Sequence, residues 1–404
     1  MSNFNQAKNL FEAHKFLFIK MFLSTRSPYH LYKFLVLSCK KNAENYLQKK
    51  LNLNFFSISK YPSIQYLFFI AYLILSGVFF NKKKRPYIKY CDIEIGRFVI
   101  AETMKSLESY LSKYHFYIAL LRNFYRAGLL LQSCKKYVAK KNIDAAYIDH
   151  CMYLNGIIYS YFAKNKIPIY TNNYPLSIYM IDFSKSYNKS LISYENSVKI
   201  SLKKKLKKNE IIKTKKILKK ITCTKNYLPW MYIKYKKYTK INYKKFDYIV
   251  YAHSFLDAQL LYGNDDFENT YDWLDFTLNK LQKDNKRVLI KAHPNFYERS
   301  LGLLYFWDNK IFNNIKKKYN KNKNFHFLDK PLFNYDLLKK VSKKCILITQ
   351  HGTVILEGSF LGFKTIGSQA TFYDKKFNHT TLWSNKSEYS KLLESNYKNL
   401  RKPN

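Results

Sequence analysis

The clearest run of hydrophobic and polar positions spans residues 345–368. Residues 345–349 are an unbroken apolar, β-branched stretch of strand length, and apolar residues from 354 to 361 recur at helical spacing until Gly362. Gln350-His351-Gly352-Thr353 joins the two, so the stretch predicts a strand, a tight polar turn and a short helix. The same rhythm recurs upstream. Residues 246–254, 287–293 and 325–328 read as strands, and 271–282 and 335–341 as helices. Residues 144–150, 153–164 and 167–171 read as strand, helix and strand, while 100–141 carry apolar residues at threes and fours as one long helix would. Near the start, 15–23 predicts a strand, 29–46 a helix entered through Ser27 and Pro28, and 54–59 a second strand. Repeated β-α-β units imply parallel sheets and an α/β fold of doubly wound, Rossmann-like domains.

Three stretches break the rhythm. Residues 66–80 are the most apolar run in the chain, and Lys82-Lys83-Lys84-Arg85 follows directly. Its 15 or so apolar residues fall short of the roughly 20 that cross a bilayer, so it predicts a helix that is buried or faces a membrane, with the basic residues meeting anionic headgroups. Residues 185–245 are very rich in lysine and poor in apolar positions, as exposed helices would be. From about 381 the chain is polar and reads as a closing helix with a loose end. The expected organisation is therefore an amino-terminal α/β domain (1–185), a lysine-rich helical region (186–245), a carboxy-terminal α/β domain (246–375) and a closing helix and tail (376–404).

Composition changes this picture only in part. The 404 residues are 47% hydrophobic and carry a formal charge of +44, enough apolar content for two cores. So large a charge fits nucleic acid, an anionic membrane or phosphorylated substrates. Lys, Asn, Ile, Tyr and Phe are heavily used, as a strongly AT-biased genome would impose, and no zinc-finger, RNP-type or basic-zipper pattern accompanies the charge; nucleic acid is not the expected partner. The six cysteines include no close pair, so neither a CxxC metal site nor a disulfide framework is indicated, which points to a reducing cytosol. The first residues lack the order of a secretory signal, and a cytoplasmic location, at the inner face of the membrane if residues 66–80 touch it, is the expectation.

Chemistry concentrates at predicted strand ends. Of nine histidines, His30, His150, His253, His293 and His351 stand at or just beyond them. In doubly wound folds those ends line one crevice, so two facing domains would focus the five imidazoles on one cleft. No HxxxH or His-x-His pair indicates a metal, and no Asp-x-Asp occurs. In the 345–368 unit, Gly352 lets the backbone approach a ligand, His351 and Thr353 offer donors to a phosphate, and Glu357 offers an acceptor to sugar hydroxyls. Glu357 stands four residues after Thr353, one too many for a capping box.

Lys291-Ala292-His293-Pro294 resembles the His-Pro motif of bacterial capsule and surface-polysaccharide glycosyltransferases of the GT-B fold, a group that includes Kdo and sialic acid transferases and teichoic-acid polymerases. Residues 349–362 look like the donor motif that follows it there, and Tyr251-Ala252-His253-Ser254-Phe255-Leu256-Asp257-Ala258 like the start of that donor domain. The likeness spans about 246–372; before it, only the segments around Ser27 and His30 and around Asp149 and His150 look like acceptor-side loops. No acidic-acidic-Gly triplet of the sialyltransferase kind is present. The resemblance implies two Rossmann-like domains facing a cleft, and a metal-independent enzyme without cofactor. It would transfer sugar from a nucleotide-sugar to a glycan or lipid-linked acceptor of capsular, lipopolysaccharide or other surface glycan. Lys291, His293, Pro294, His351, Gly352, Thr353 and Glu357 would hold the donor, Ser27 and His30 would face the acceptor, and the base would be one of Asp149, His150, His253 and Asp257. A CDP-alcohol phosphotransferase, a nucleotide-sugar epimerase and a non-catalytic basic protein binding nucleic acid or lipid are the competing readings.

Overall fold

In the computed structural model the chain divides into two compact units, Met1–Ser59 and Lys60–Asn404. The residues described below all belong to the second: 61–105, 112–140, 143, 145–149, 153–173, 177–181, 207–225, 235, 241–257, 265–297, 303–328, 331–369, 379–395 and 397–401. The expected strands and helix before residue 60, with Ser27 and His30, lie outside them, as does His150.

The carboxy-terminal half is built on six parallel strands: β6 (Tyr248–Tyr251), β7 (Val288–Lys291), β8 (Phe325–Leu328), β9 (Ile346–Thr349), β10 (Thr365–Ser368) and β11 (Thr381–Trp383). Their order in the sheet is β11-β10-β9-β6-β7-β8. Counted from β6 this is the Rossmann order, with the chain reversing direction across the sheet between β6 and β9, where such folds open a crevice. The central strands β6, β7 and β9 are buried along their whole length and almost wholly apolar because both faces are covered. Tyr248, Val250, Val288, Ile290, Ile346 and Ile348 join one core with helices α6 (Thr270–Lys283), α7 (Leu303–Tyr319) and α10 (Lys386–Glu394). Ile249, Tyr251, Leu289 and Leu347, the alternating positions, join a second core with α8 (Asn334–Leu338) and Phe363. On that second side α9 (Val354–Phe360) presses onto the sheet at Gly358, where an added Cβ would meet Leu347 Cδ1 at 2.5 Å.

The amino-terminal half is largely helical. α1 (Ile64–Leu75), α2 (Gly96–Lys105), α3 (Lys113–Lys140) and α4 (Asn155–Lys164) share a core, and a short hairpin pairs β1 (Lys89–Tyr90) with β2 (Ile93–Glu94). β3 (Ala146–Asp149) and β4 (Ile169–Asn173) pair in parallel across α4, and β5 (Ser177–Ile181) adds to β4 in the antiparallel sense. The described sheet of this half is thus mixed rather than wholly parallel. The lysine-rich stretch contains α5 (Lys208–Cys223), which is almost wholly exposed and touches α8 and α9.

Four expectations need correction. The helical stretch expected over 100–141 holds two helices, α2 and α3: Ser112, directly before Lys113, is not helical, which the run of apolar spacing does not register. The apolar run 66–80 forms a helix only to Leu75, twelve residues, about 18 Å at 1.5 Å per residue against a hydrocarbon core of about 30 Å. Among the described residues no helix is long and apolar enough to cross a membrane. Of the four basic residues after it, Lys82, Lys83 and Lys84 are exposed but Arg85 turns inward to 4% exposure, its guanidinium over the rings of Phe116 and Tyr117. The closing segment from Thr381 begins with a strand, β11, that extends the sheet beyond β10 before α10 packs on it.

Candidate functional site

His253, His293 and His351 follow β6, β7 and β9, three adjacent strands, and therefore emerge side by side at the same end of the sheet. His253 is central: its ring centroid lies 5.2 Å from that of His293 and 5.5 Å from that of His351. Since β6 and β9 flank the point where strand order reverses, the cluster lies at the crevice the topology predicts.

Each loop is fixed by buried polar contacts. After β6, Asp308 of α7 accepts from Ser254 Oγ at 2.6 Å and from the Phe255 amide at 2.8 Å. Burial pushes its carboxyl up to about 6 against the pull of those bonds. After β9, Gln350 accepts from Thr270 Oγ1 at 2.9 Å and donates to Asp265 Oδ2 at 3.1 Å, while Thr349 Oγ1 donates to the His351 carbonyl. Gly352 then adopts φ +135°, a region that side chains avoid, so the turn into α9 depends on glycine here. Pro294 opens a single 3-10 turn after β7.

Electrostatics separates the groups. His253 and His293 keep some open surface yet are surrounded closely by protein, and desolvation lowers both; the neighbouring His253 and Lys291 lower His293 further. His253 Nδ1 lies 3.2 Å from the Ser254 carbonyl. A carbonyl only accepts, so this contact puts the proton on Nδ1 and leaves Nε2 with its lone pair. Lys291, the last residue of β7, is 8% exposed, and burial brings its ammonium down to about 8, with Glu357 opposing the shift. Glu357 accepts from Asn334 Nδ2 at 2.6 Å and from Thr353 Oγ1 at 3.0 Å, and Tyr251 OH donates to Asn334 Oδ1 at 2.7 Å. The four-residue spacing from Thr353 to Glu357 thus serves a side-chain pair along α9, which has no side-chain cap of its own.

The structure places all seven donor-side residues expected from sequence, Lys291, His293, Pro294, His351, Gly352, Thr353 and Glu357, at or just after the ends of β7 and β9 or on α9. Of the four base candidates, His253 joins them, and Asp257, exposed on the same loop, accepts a hydrogen bond from the Tyr153 hydroxyl of the amino-terminal half. Asp149 ends β3, paired with Asn172. Sequence reasoning missed Asp308, Asp265 and Asn334. Asp308 had a signal: it stands three, four and seven residues before Ile311, Phe312 and Ile315, a carboxylate in the apolar stripe of a helix.

Among the described residues no group of three or more His, Cys, Asp or Glu side chains is arranged to hold a metal ion. No family profile matches the chain, and no curated protein matches it. Among solved structures, the chain is similar to Methanocaldococcus jannaschii UDP-GlcNAc 2-epimerase in complex with UDP-GlcNAc and UDP. That likeness has a TM-score of 0.32 and 13% identity over 76% of this chain and 92% of that one.

Proposed function

We propose that the protein is a metal-independent glycosyltransferase of GT-B type that takes sugar from a nucleotide-sugar donor and passes it to a capsular, lipopolysaccharide or other surface-glycan acceptor. The observation that carries this reading is the convergence of His253, His293 and His351 on one crevice, with Lys291 beside it. Glycosyl transfer asks for donors aimed at the departing nucleotide phosphate and a base for the acceptor hydroxyl. His293, His351 and Lys291 suit the first task. His253 suits the second, because burial keeps it neutral and its hydrogen bond leaves Nε2 free to accept a proton. Glu357, held by Asn334 and Thr353, is oriented to accept from a ribose.

Peripheral membrane contact belongs to the same reading. α1 buries Tyr66, Ile70 and Leu73, and its opposite face exposes Ile64, Phe68, Tyr72 and Leu75 at helical spacing, close in sequence to exposed Lys82, Lys83 and Lys84. An apolar stripe with adjacent cations suits the surface of an anionic bilayer. Vesicles containing anionic lipid should recruit the protein, and Phe68→Ser with Leu75→Ser should abolish recruitment; equal sedimentation of both forms with those vesicles would remove this part of the reading.

Incubation of the full chain with labelled nucleotide sugars and candidate acceptors tests the central claim. Nucleotide release coupled to sugar transfer is expected. Isomerisation of the donor without acceptor, or transfer of a phosphoalcohol from a CDP-alcohol, would replace it by one of the alternatives.

A further inference from the structure

A cavity of about 250 Å³ lies away from the histidine crevice, lined by Lys82, Arg85, Met104, Lys113, Phe116, Tyr117, Glu268 and Asn269. Its chemistry is lopsided: three cations face one carboxylate. Arg85 is 96% hidden, its carbon Cζ lies 5.1 Å from the Phe116 ring centroid and 5.5 Å from that of Tyr117, and Nη2 donates to the Phe80 carbonyl at 3.3 Å. The Tyr117 hydroxyl also accepts from the guanidinium and Glu268 acts on it at longer range, yet Nε is buried without a hydrogen-bond partner, and among the described residues no carboxylate comes within ion-pair distance of it. Lys82 is already matched by Glu268 at 2.6 Å at a half-exposed position, whereas Lys113 stands over Tyr117 at 6.0 Å. The amino end of α6 contributes little, since Asn269 and Asp272 cap it with their own side chains.

A buried arginine left short of acceptors is costly unless something completes it. We propose that this cavity binds a small phosphate-bearing ligand, a phosphomonoester or diphosphate, between Arg85 and Lys113, with the Phe116 and Tyr117 rings holding the guanidinium flat for a two-point contact. Its volume lies below the roughly 300–1,000 Å³ typical of drug-sized sites, so it takes a phosphate and a small attached group rather than a whole nucleotide sugar. The cavity also reaches the crevice through the chain. Asn269 in its wall precedes Thr270, whose hydroxyl bonds Gln350 immediately before His351. The ligand is the phosphate of an acceptor or that of an effector, and the chemistry of binding is the same for both.

Calorimetric titration of the full chain with inorganic pyrophosphate tests the site. Lys113→Glu is the main variant because Lys113 is exposed and its loss threatens no core; Arg85→Lys keeps the charge but not the planar fork. Each should weaken pyrophosphate binding at the cavity at least tenfold, while Lys83→Ala, an exposed lysine outside the cavity, leaves it unchanged. Unaltered binding in folded Lys113→Glu and Arg85→Lys, or equal loss in Lys83→Ala, would overturn the proposal as general attraction to a basic surface. Loss in His293→Ala alone would move the binding to the crevice and overturn it equally, whereas failure of the transferase reading would leave these titrations untouched. With turnover measured, a raised acceptor KM in Lys113→Glu assigns the ligand to a phosphorylated acceptor, and a changed donor affinity without acceptor assigns it to an effector.

Discussion

Lys291 in the crevice and Arg85 in the cavity are both buried cations, held by different means. Lys291 ends a central strand, with its ammonium 5.6 Å from the Tyr251 ring centroid and Glu357 near enough to oppose its desolvation. Arg85 opens a 3-10 turn, over two rings, with the Phe80 carbonyl and the Tyr117 hydroxyl as its acceptors. Burial brings the lysine to about 8, within range of ordinary pH, while an arginine lowered by the same cause still keeps its proton. The crevice is therefore a titratable site with two neutral imidazoles and a lysine poised to lose charge. The cavity is a fixed charge that pH hardly touches. A site that moves protons needs the first arrangement, and one that only holds an anion needs the second.

The largest effect that separates the two regions is on turnover. Negative charge on the leaving phosphate grows as the glycosidic bond breaks, so a donor aimed at it is stronger in the transition state than in the ground state. His293→Ala and His351→Ala should each lower transfer by about 10²–10³ with the fold intact, and the double variant should be little worse than the poorer single one. Steady-state rates with circular dichroism as the fold control check this. Near-normal transfer in both folded variants would leave the crevice without its assigned role.

Next comes the turn that carries His351. Gly352 at φ +135° leaves open space around its Cβ position, with only Thr349 Oγ1 at 3.8 Å, so Gly352→Ala acts through backbone strain and not through collision. A cost of about 1–3 kcal/mol is expected, read as a shift in the urea midpoint with m unchanged, together with weaker donor binding as the loop relaxes. An alanine variant of unchanged stability would mean that the turn does not need glycine.

A smaller effect sharpens the contrast in pH. Nucleotide affinity at the crevice should fall as pH rises through about 8, by up to about tenfold at pH 9, as Lys291 loses its proton. Lys291→Arg should flatten that profile, and pyrophosphate binding at the cavity should stay level from pH 7.5 to 9. Parallel profiles at the two sites would end the distinction.

Much of the crevice was legible in the sequence because a central strand leaves an unbroken apolar run and the residue just past its end is exposed to a ligand by topology alone. That is how His253, His293 and His351 were among the five histidines placed at strand ends, the other two, His30 and His150, lying outside the described residues. Strand β10 and the edge strand β11 were not legible: Thr365-Ile366-Gly367-Ser368 and Thr381-Leu382-Trp383 are too short and too polar to announce themselves. The supports of the loops were hidden as well. Asp308 reaches back 54 residues to Ser254 and Asp265 reaches 85 to Gln350, and no local pattern encodes such partners. Arg85 was misread because a basic run after an apolar helix looks uniform, and only the aromatic pair Phe116-Tyr117, some thirty residues on, distinguishes its last member.

The smallest expected effect is on stability in mild acid. His293 is held well below its ordinary value by burial and by neighbouring positive groups, so above the unfolded imidazole value of about 6.5 both states are neutral and the site costs nothing. As pH falls below that, the unfolded chain takes up protons that the folded one refuses, and stability declines. Asp308 acts in the opposite sense: its raised carboxyl lets the folded state protonate first, which favours folding as pH falls through about 6. The two contributions overlap, so the wild-type profile alone does not isolate either. The difference between wild type and His293→Gln does, since Asp308 is common to both and cancels. The urea midpoint of the wild type should fall further than that of His293→Gln between pH 7.5 and 5.5, and inorganic phosphate bound in the crevice should narrow the gap by stabilising the imidazolium. An equal fall in the two proteins would show that His293 protonates freely in the folded state, and the crevice would lose the titratable character that sets it apart from the cavity.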